Sequence, residues 1–126
     1  MEHPIDSPPG FMPDKALRLF IVTEILTPFI EQKAAEGIRL SVNVVYSNGG
    51  QMISGPDLEQ KGKATAVQAT VICKPALIQH LLTTEIVLQP MHESSLDCPS
   101  YSIRCVVRKD DKGYYLTESQ VSTLSP

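Results

Sequence analysis

Apolar side chains dominate residues 17–30 of the chain, which read LRLFIVTEILTPFI. On a helical wheel with 100° per residue, these side chains spread over more than half of the circumference. A helix on one sheet needs an apolar stripe of only about 100° or somewhat more. Pro13 suits a first helical turn and Gly37 suits a helix end, so the sequence predicts a long helix between them.

Three arrangements account for the surplus apolar surface of this helix. Thr27 and Pro28 could divide it into two helices with different inward faces, since a proline inside a helix costs about 3 kcal/mol or more. The terminal hairpin or the N-terminal arm could cover it. The third arrangement is a second protein surface, most simply another copy of the same helix. For that case we predict self-association through Phe20, Val22, Leu26, Phe29 and Ile30.

Apolar and polar residues alternate along most of the remaining chain, which is typical of half-buried strands. The clearest example is IRLSVNVVY, residues 38–46, followed by the turn signal SNGG and the short segment QMIS. ATAVQATVIC and TEIVLQ indicate two further strands. YSIRCVVRK, the turn DDKG and YYLT indicate a terminal hairpin.

Residues 75–82, PALIQHLL, predict a short helix, because Pro75 suits its first turn and Leu77, Ile78, Leu81 and Leu82 recur at helical spacing. The predicted fold is therefore α+β. It has a mainly antiparallel sheet of about five to six strands, one long N-terminal helix packed on one face, and one short helix.

The chain of 126 residues is long enough for one domain with its own core. Proline and glycine are frequent at the start, so residues 1–12 are predicted to form a flexible arm. Residues 13–120 are predicted to form a single α+β domain, and residues 121–126 a frayed tail.

Composition narrows the possible environments and partners. The chain is 42% hydrophobic and 20% charged, with a formal net charge of −3, so its overall charge does not favour nucleic-acid or membrane binding. The first residues do not resemble a secretory signal, and no apolar run reaches the length of a membrane-spanning helix. An odd number of cysteines, three, without CxxC spacing fits a reducing compartment. We therefore predict a cytoplasmic protein.

The patterns that would indicate a catalytic or cofactor site are incomplete. In GPDLEQKGKAT, Lys63 is followed by Ala64 rather than by the serine or threonine that a phosphate-binding loop needs. A cysteine nucleophile needs a histidine base, and Cys98 with His92 or Cys73 with His80 are the candidate pairs.

A metal site would draw on His80, His92, Cys98 and Glu93, which lack the close pairing that zinc sites favour. The sequence therefore predicts no cofactor and no metal. It favours a non-catalytic protein over an enzyme.

A basic patch is predicted in the terminal hairpin. Arg104 and Arg108 lie on one face of a strand, and Lys112 lies in the adjoining turn. Together with neighbouring tyrosines they could contact single-stranded nucleic acid. The segment VVYSNGGQMISG also resembles the opening of Sm-type RNA-binding barrels, although the spacing to Gly55 differs by one residue and the predicted helix at 75–82 has no place in such a barrel. No functional residue is carried over.

Excess apolar surface together with incomplete catalytic patterns predicts a protein-interaction or regulatory module, such as an adaptor. We expect it to form a homo-oligomer, most simply a dimer, through its N-terminal helix, and to bind a protein partner that the sequence does not identify. The alternatives are a small module that binds RNA or single-stranded nucleic acid through the 104–115 hairpin, or a cysteine-dependent enzyme.

Overall fold

The fold is one six-stranded sheet with a long helix against one of its faces. The computed structural model describes residues 10–78, 80–91 and 98–124. The strands in chain order are β1 (Leu40–Ser47), β2 (Met52–Leu58), β3 (Thr65–Pro75), β4 (Leu81–Pro90), β5 (Ser100–Asp110) and β6 (Gly113–Leu124). In the sheet they lie in the order β2-β1-β3-β4-β5-β6.

The sheet is mixed rather than wholly antiparallel. β1 pairs antiparallel with β2 and parallel with β3, and β3 to β6 continue as an antiparallel meander. A parallel pair cannot be joined by a tight turn, so β2 and the segment after it carry the chain back to the start of β3. The predicted α+β class and mainly antiparallel sheet are thus confirmed. Strands β2 and β6 lie at opposite edges.

The long helix has 21 residues in three consecutive segments, Lys15–Phe20, Ile21–Leu26 and Thr27–Ala35. The Asp14 carboxylate caps it by accepting the Leu17 N–H at 2.8 Å. It ends before Gly37, whose φ of 88° suits a glycine beyond a helix end. The prediction that this helix is N-terminal is wrong, because Phe11 first forms a bridge with Cys73 of β3.

The middle segment of the long helix, Ile21–Leu26, is a π-helical turn. The Thr27 N–H bonds to the Val22 carbonyl, five residues back, and Thr27 keeps helical dihedral angles. The helix is therefore not divided at Thr27. Pro28 follows the widened turn directly, so the turn accommodates a residue that lacks a backbone donor. The added residue also rotates the second half of the helix relative to the first.

Alternation along the strands places their apolar side chains under the helix. Val42 and Val44 of β1 are buried, while Ser41 and Asn43, which alternate with them, are half-buried on the opposite face. The Phe29 ring meets the Tyr101 ring edge-on, with 5.3 Å between centroids. The largest fully buried side chains are Leu17, Ile21, Leu26, Leu40, Tyr46, Ile86, Leu88, Tyr101 and Ile103.

The prediction of a short helix at residues 75–82 is wrong. Pro75 ends β3 and Leu82 pairs with it from β4, so only residues 76–80 connect the two strands. A helix of eight residues is marginal on its own, whereas the β3–β4 ladder satisfies the backbone groups on both sides of the turn. Leu77 and Ile78, two of the apolar residues that suggested this helix, are 95% and 67% exposed at the hairpin tip.

Both ends of the described chain contact the sheet. Of the predicted arm, Phe11 and Met12 pack against the core, and residues 1–9 lie outside the described residues. Residues 121–124 of the predicted tail belong to β6. Within the part of the chain that the structure describes, no helix has both the length and the apolar character needed to cross a bilayer.

Candidate partner-binding groove

A groove runs between the long helix and the edge strand β2. Its wall on the helix side includes Leu19, which is 64% exposed, and the half-buried Val22. Tyr46 of β1 lies at its floor, and β2 forms its other wall. We call this the helix–β2 groove. Its lining residues are Lys15, Arg18, Leu19, Val22, Tyr46, Ser54, Gly55, Pro56 and Leu58.

An irregularity in β2 shapes the floor of the helix–β2 groove. The register with β1 shifts between Asn43 and Val45, so Gly55 and Pro56 both lie opposite Val44. A Cβ atom at Gly55 would lie only 2.7 Å from Cε2 of the Tyr46 ring. Glycine therefore lets β2 pass over the ring, whose hydroxyl donates a hydrogen bond to the Arg18 carbonyl at 3.4 Å.

The helix–β2 groove carries opposite charges at its two ends. Lys15 and Arg18 lie at the end near the start of the helix. The groove continues past Leu58 to a second depression that includes Glu31 and Glu59. An apolar centre between a basic end and an acidic end favours a ligand with the opposite order of charges.

The five residues predicted for self-association differ in how much surface they offer. Leu26, Phe29 and Ile30 are buried, with at most 5% exposed, and they pack in the protein's own core. Phe20 is half-buried and its ring lies 6.0 Å from that of Tyr114. Val22 lines the helix–β2 groove. Self-association through the helix therefore stays a prediction, and it rests on Val22 and its neighbour Leu19 more than on the buried three.

The predicted nucleic-acid patch is divided by acidic groups. Arg104 and Arg108 are exposed on the sheet face opposite the helix, and Arg104 Nε lies 3.9 Å from Glu85 Oε2. Lys112 lies in the β5–β6 turn, where its N–H donates to the Asp110 carboxylate at 2.8 Å. Acidic groups beside basic ones weaken the attraction of a surface for phosphates. Nucleic-acid binding stays a prediction without further support from these contacts.

Of the two predicted cysteine–histidine pairs, only Cys73 with His80 can be located, and the two residues are not brought together. The exposed His80 lies beside Arg108 and Asp111 of the β5–β6 hairpin. The Cys73 thiol points into the core, 3.7 Å from Thr84 Oγ1. His92 and Glu93 lie outside the described residues. Across residues 10–78, 80–91 and 98–124, no cluster of three metal-ligating side chains occurs.

Burial makes all three thiols less acidic. It raises the pKa of the Cys73 thiol to about 11, against a smaller opposing effect of the contact with Thr84. Burial also raises the pKa values of Cys98 and Cys105. Since the thiolate is the nucleophile, a raised pKa leaves less of it at neutral pH, which is the reverse of an activated cysteine.

Alkylation of the native protein with iodoacetamide at neutral pH is expected to label Cys98 first and more slowly than a free cysteine. Cys98 is half-buried, whereas Cys73 and Cys105 are buried and require unfolding to react. Mass spectrometry of peptides over time measures the order. A Cys98→Ser control should remain unlabelled until denaturant is added. Labelling of Cys98 faster than free cysteine would contradict this account and restore the enzyme hypothesis.

Several groove residues carried no signal in the sequence. Leu19 belongs to the apolar run, but a wheel with uniform steps did not separate it from the buried positions. Lys15 and Arg18 are ordinary surface cations until β2 is placed beside them. The predicted strand segment QMIS ends before Gly55, whereas the glycine lies inside β2.

Comparison of the chain with protein-family models, with curated proteins and with solved structures finds no match.

Proposed function

We propose that this protein is a non-catalytic protein-interaction module, and that the helix–β2 groove binds a segment of a protein partner. The observation that carries the proposal is the exposed Leu19, next to Val22, in an apolar groove with charged ends. Leu19 is 64% exposed to water. A partner that covers this side chain would gain about 25 cal/mol of binding free energy for each Å² of apolar surface removed from water.

The charges at the ends of the groove define the chemistry of the ligand. Lys15 and Arg18 favour carboxylates, and Glu31 and Glu59 favour lysine or arginine at the other end. The apolar centre favours leucine-like or aromatic side chains. We therefore propose an amphipathic segment with acidic residues at one end, apolar residues in the middle and basic residues at the other end.

A synthetic peptide of this design tests the proposal by NMR. We expect titration with it to shift the backbone amides of residues 15–22 and 54–59. A matched peptide in which glutamine replaces every charged residue should bind more weakly, because it keeps the apolar contacts and loses the charge pairs. The difference should shrink as salt is added, since salt screens exposed charges.

Lys15→Glu combined with Arg18→Glu is expected to abolish the preference for the charged peptide. Lys112→Glu, at a basic residue remote from the groove, is the matched control and should leave binding unchanged. Absence of shifts in residues 15–22 at millimolar peptide would overturn the proposal. It would also be overturned if the double variant bound the charged peptide as tightly as the wild type does. Concentration-dependent shifts of the same amides without peptide would identify a second copy as the occupant of the groove.

A further inference from the structure

The two edges of the sheet differ in how they are protected against pairing with another strand. β2 has seven residues, an irregular register, Pro56 and the charged Asp57. Short length, irregular pairing, proline and charge are the features with which edge strands avoid association. β6 has twelve residues and one formal charge, Glu118. It therefore carries an edge that is open to a further strand.

The regular part of this open edge is residues 118–124. The register between β5 and β6 shifts next to Thr117, whose hydroxyl donates to the Val106 carbonyl at 3.0 Å. Beyond that point, Glu118 to Leu124 pair without interruption with Val106 to Ser100. The segment contains no proline, glycine, lysine or arginine, and all its side chains are exposed. Among the described residues, β5 is the only strand that pairs with it.

The segment 118–124 is complementary to a second copy of itself. When two copies run antiparallel about Val121, that residue lies opposite its counterpart, and all seven residues overlap. Ser119 then lies opposite Thr123 and Gln120 opposite Ser122, with each pair on one face of the sheet. Valine has a high strand propensity, and pairs of hydroxyl residues are favourable across strands.

The only charge in the segment does not oppose this pairing. Glu118 lies opposite Leu124 of the second copy, and the two Glu118 carboxylates are six positions apart along the strands. At about 3.4 Å per residue they are separated by roughly 20 Å, which is more than the Debye length of about 8 Å at physiological salt. Charge repulsion therefore disfavours the register centred on Glu118, where the two carboxylates would meet. It has little effect on the register centred on Val121.

We propose that two copies of this chain associate by antiparallel pairing of their β6 strands about Val121, forming one continuous sheet of two six-stranded halves. The pairing satisfies the outer row of backbone donors and acceptors on β6. It also covers Val121 and Leu124, which are 47% and 40% exposed in the single chain. Closed two-fold dimers are the commonest assemblies of soluble proteins. This interface is at the edge opposite β2, so it is independent of the proposed groove.

Sedimentation of charge variants at Val121 tests the interface. We expect the wild type at tens of micromolar to have twice the 13.8 kDa mass of one chain. Val121→Lys and Val121→Glu should each raise the dissociation constant by a factor of roughly ten or more, because like charges then face each other across the axis. An equimolar mixture of the two variants should dimerise again, since lysine then faces glutamate.

Val121→Thr is the matched control, because it keeps a β-branched side chain and should remain dimeric. Hydrogen exchange of the wild type gives a second test that needs no variant: amides within residues 118–124 should lose protection on dilution. A monomeric wild type would overturn the proposal, as would charge variants that stay dimeric or a mixture that stays monomeric. Loss of the dimer on Leu19→Glu but not on Val121→Lys would also overturn it and assign self-association to the helix.

Discussion

Replacing Leu26 with alanine is expected to lower the free energy of unfolding by about 2–5 kcal/mol. The Leu26 side chain has no exposed surface and belongs to the core cluster between the helix and the sheet, so its removal leaves a cavity that its neighbours fill only in part. Chemical denaturation followed by circular dichroism measures the change. An unchanged slope against denaturant would show that the midpoint shift reports stability alone.

Leu19→Ala is the matched control on the same helix. It removes the same atoms from a side chain that is 64% exposed, and we expect a change of about 0.5 kcal/mol or less. The two variants therefore separate the two roles of the apolar run, since Leu26 stabilises the fold and Leu19 lines the groove. Equal losses from both variants would contradict the described burial of the helix.

Gly55→Ala is expected to destabilise the protein by about 1–3 kcal/mol, as overpacking typically does. The new methyl group would lie 2.7 Å from the Tyr46 ring and 3.2 Å from Val44 Cγ1. Tyr46 is 1% exposed, so its ring cannot move aside without disturbing the core. Either the ring or β2 must shift, and both changes alter the helix–β2 groove.

Gly50→Ala provides the control for Gly55. In the β1–β2 turn a Cβ atom at Gly50 meets nothing closer than Asn48 Oδ1 at 3.9 Å, so we expect a change within about 0.5 kcal/mol. Thermal unfolding of both variants compares them directly. If Gly55→Ala is as stable as Gly50→Ala, the close approach of β2 to Tyr46 is not a feature of the folded protein.

Alternation along the chain predicted most of the sheet. β1 and the β5–β6 hairpin follow from local patterns, because β1 and β5 each have one face in the core and the turns carry glycine or asparagine. In the β1–β2 turn, Asn48 Oδ1 accepts hydrogen bonds from the N–H groups of Gly50 and Gln51, as such a turn sequence favours. The parallel pairing of β1 with β3 depends on residues that are distant in sequence, so no local pattern contained it.

Two errors in the prediction have identifiable physical causes. Residues 75–82 have helical spacing, but Pro75 and Leu82 pair with each other between β3 and β4, Leu81 pairs with Arg108 of β5, and a turn is left between the strands. On the long helix, the π turn adds a residue and changes the direction of every later side chain. A helical wheel with uniform steps of 100° therefore overestimated the apolar surface that the helix leaves uncovered. Of the residues in the apolar run, Leu19 and Val22 therefore line the proposed partner site.

The candidate groove was the least predictable part of the molecule. Two of its apolar residues, Leu19 and Val22, were within the predicted run, yet which residues of that run are exposed depends on the π turn and on the position of β2. Its basic end comes from Lys15 and Arg18 on the long helix, and its acidic end includes Glu59, which follows β2. Such a combination is a property of the tertiary structure, and no periodic pattern in the sequence predicts it.

The opposite placement of β2 and β6 has a consequence for valency. A pair of chains joined through β6 would keep both β2 edges at its far ends, separated by eleven strand spacings of about 4.8 Å, or roughly 50 Å before twist. Such an assembly would present two identical docking clefts on a rigid spacer. A target with two matching segments at that span would gain avidity, whereas one with a shorter linker would engage a single cleft.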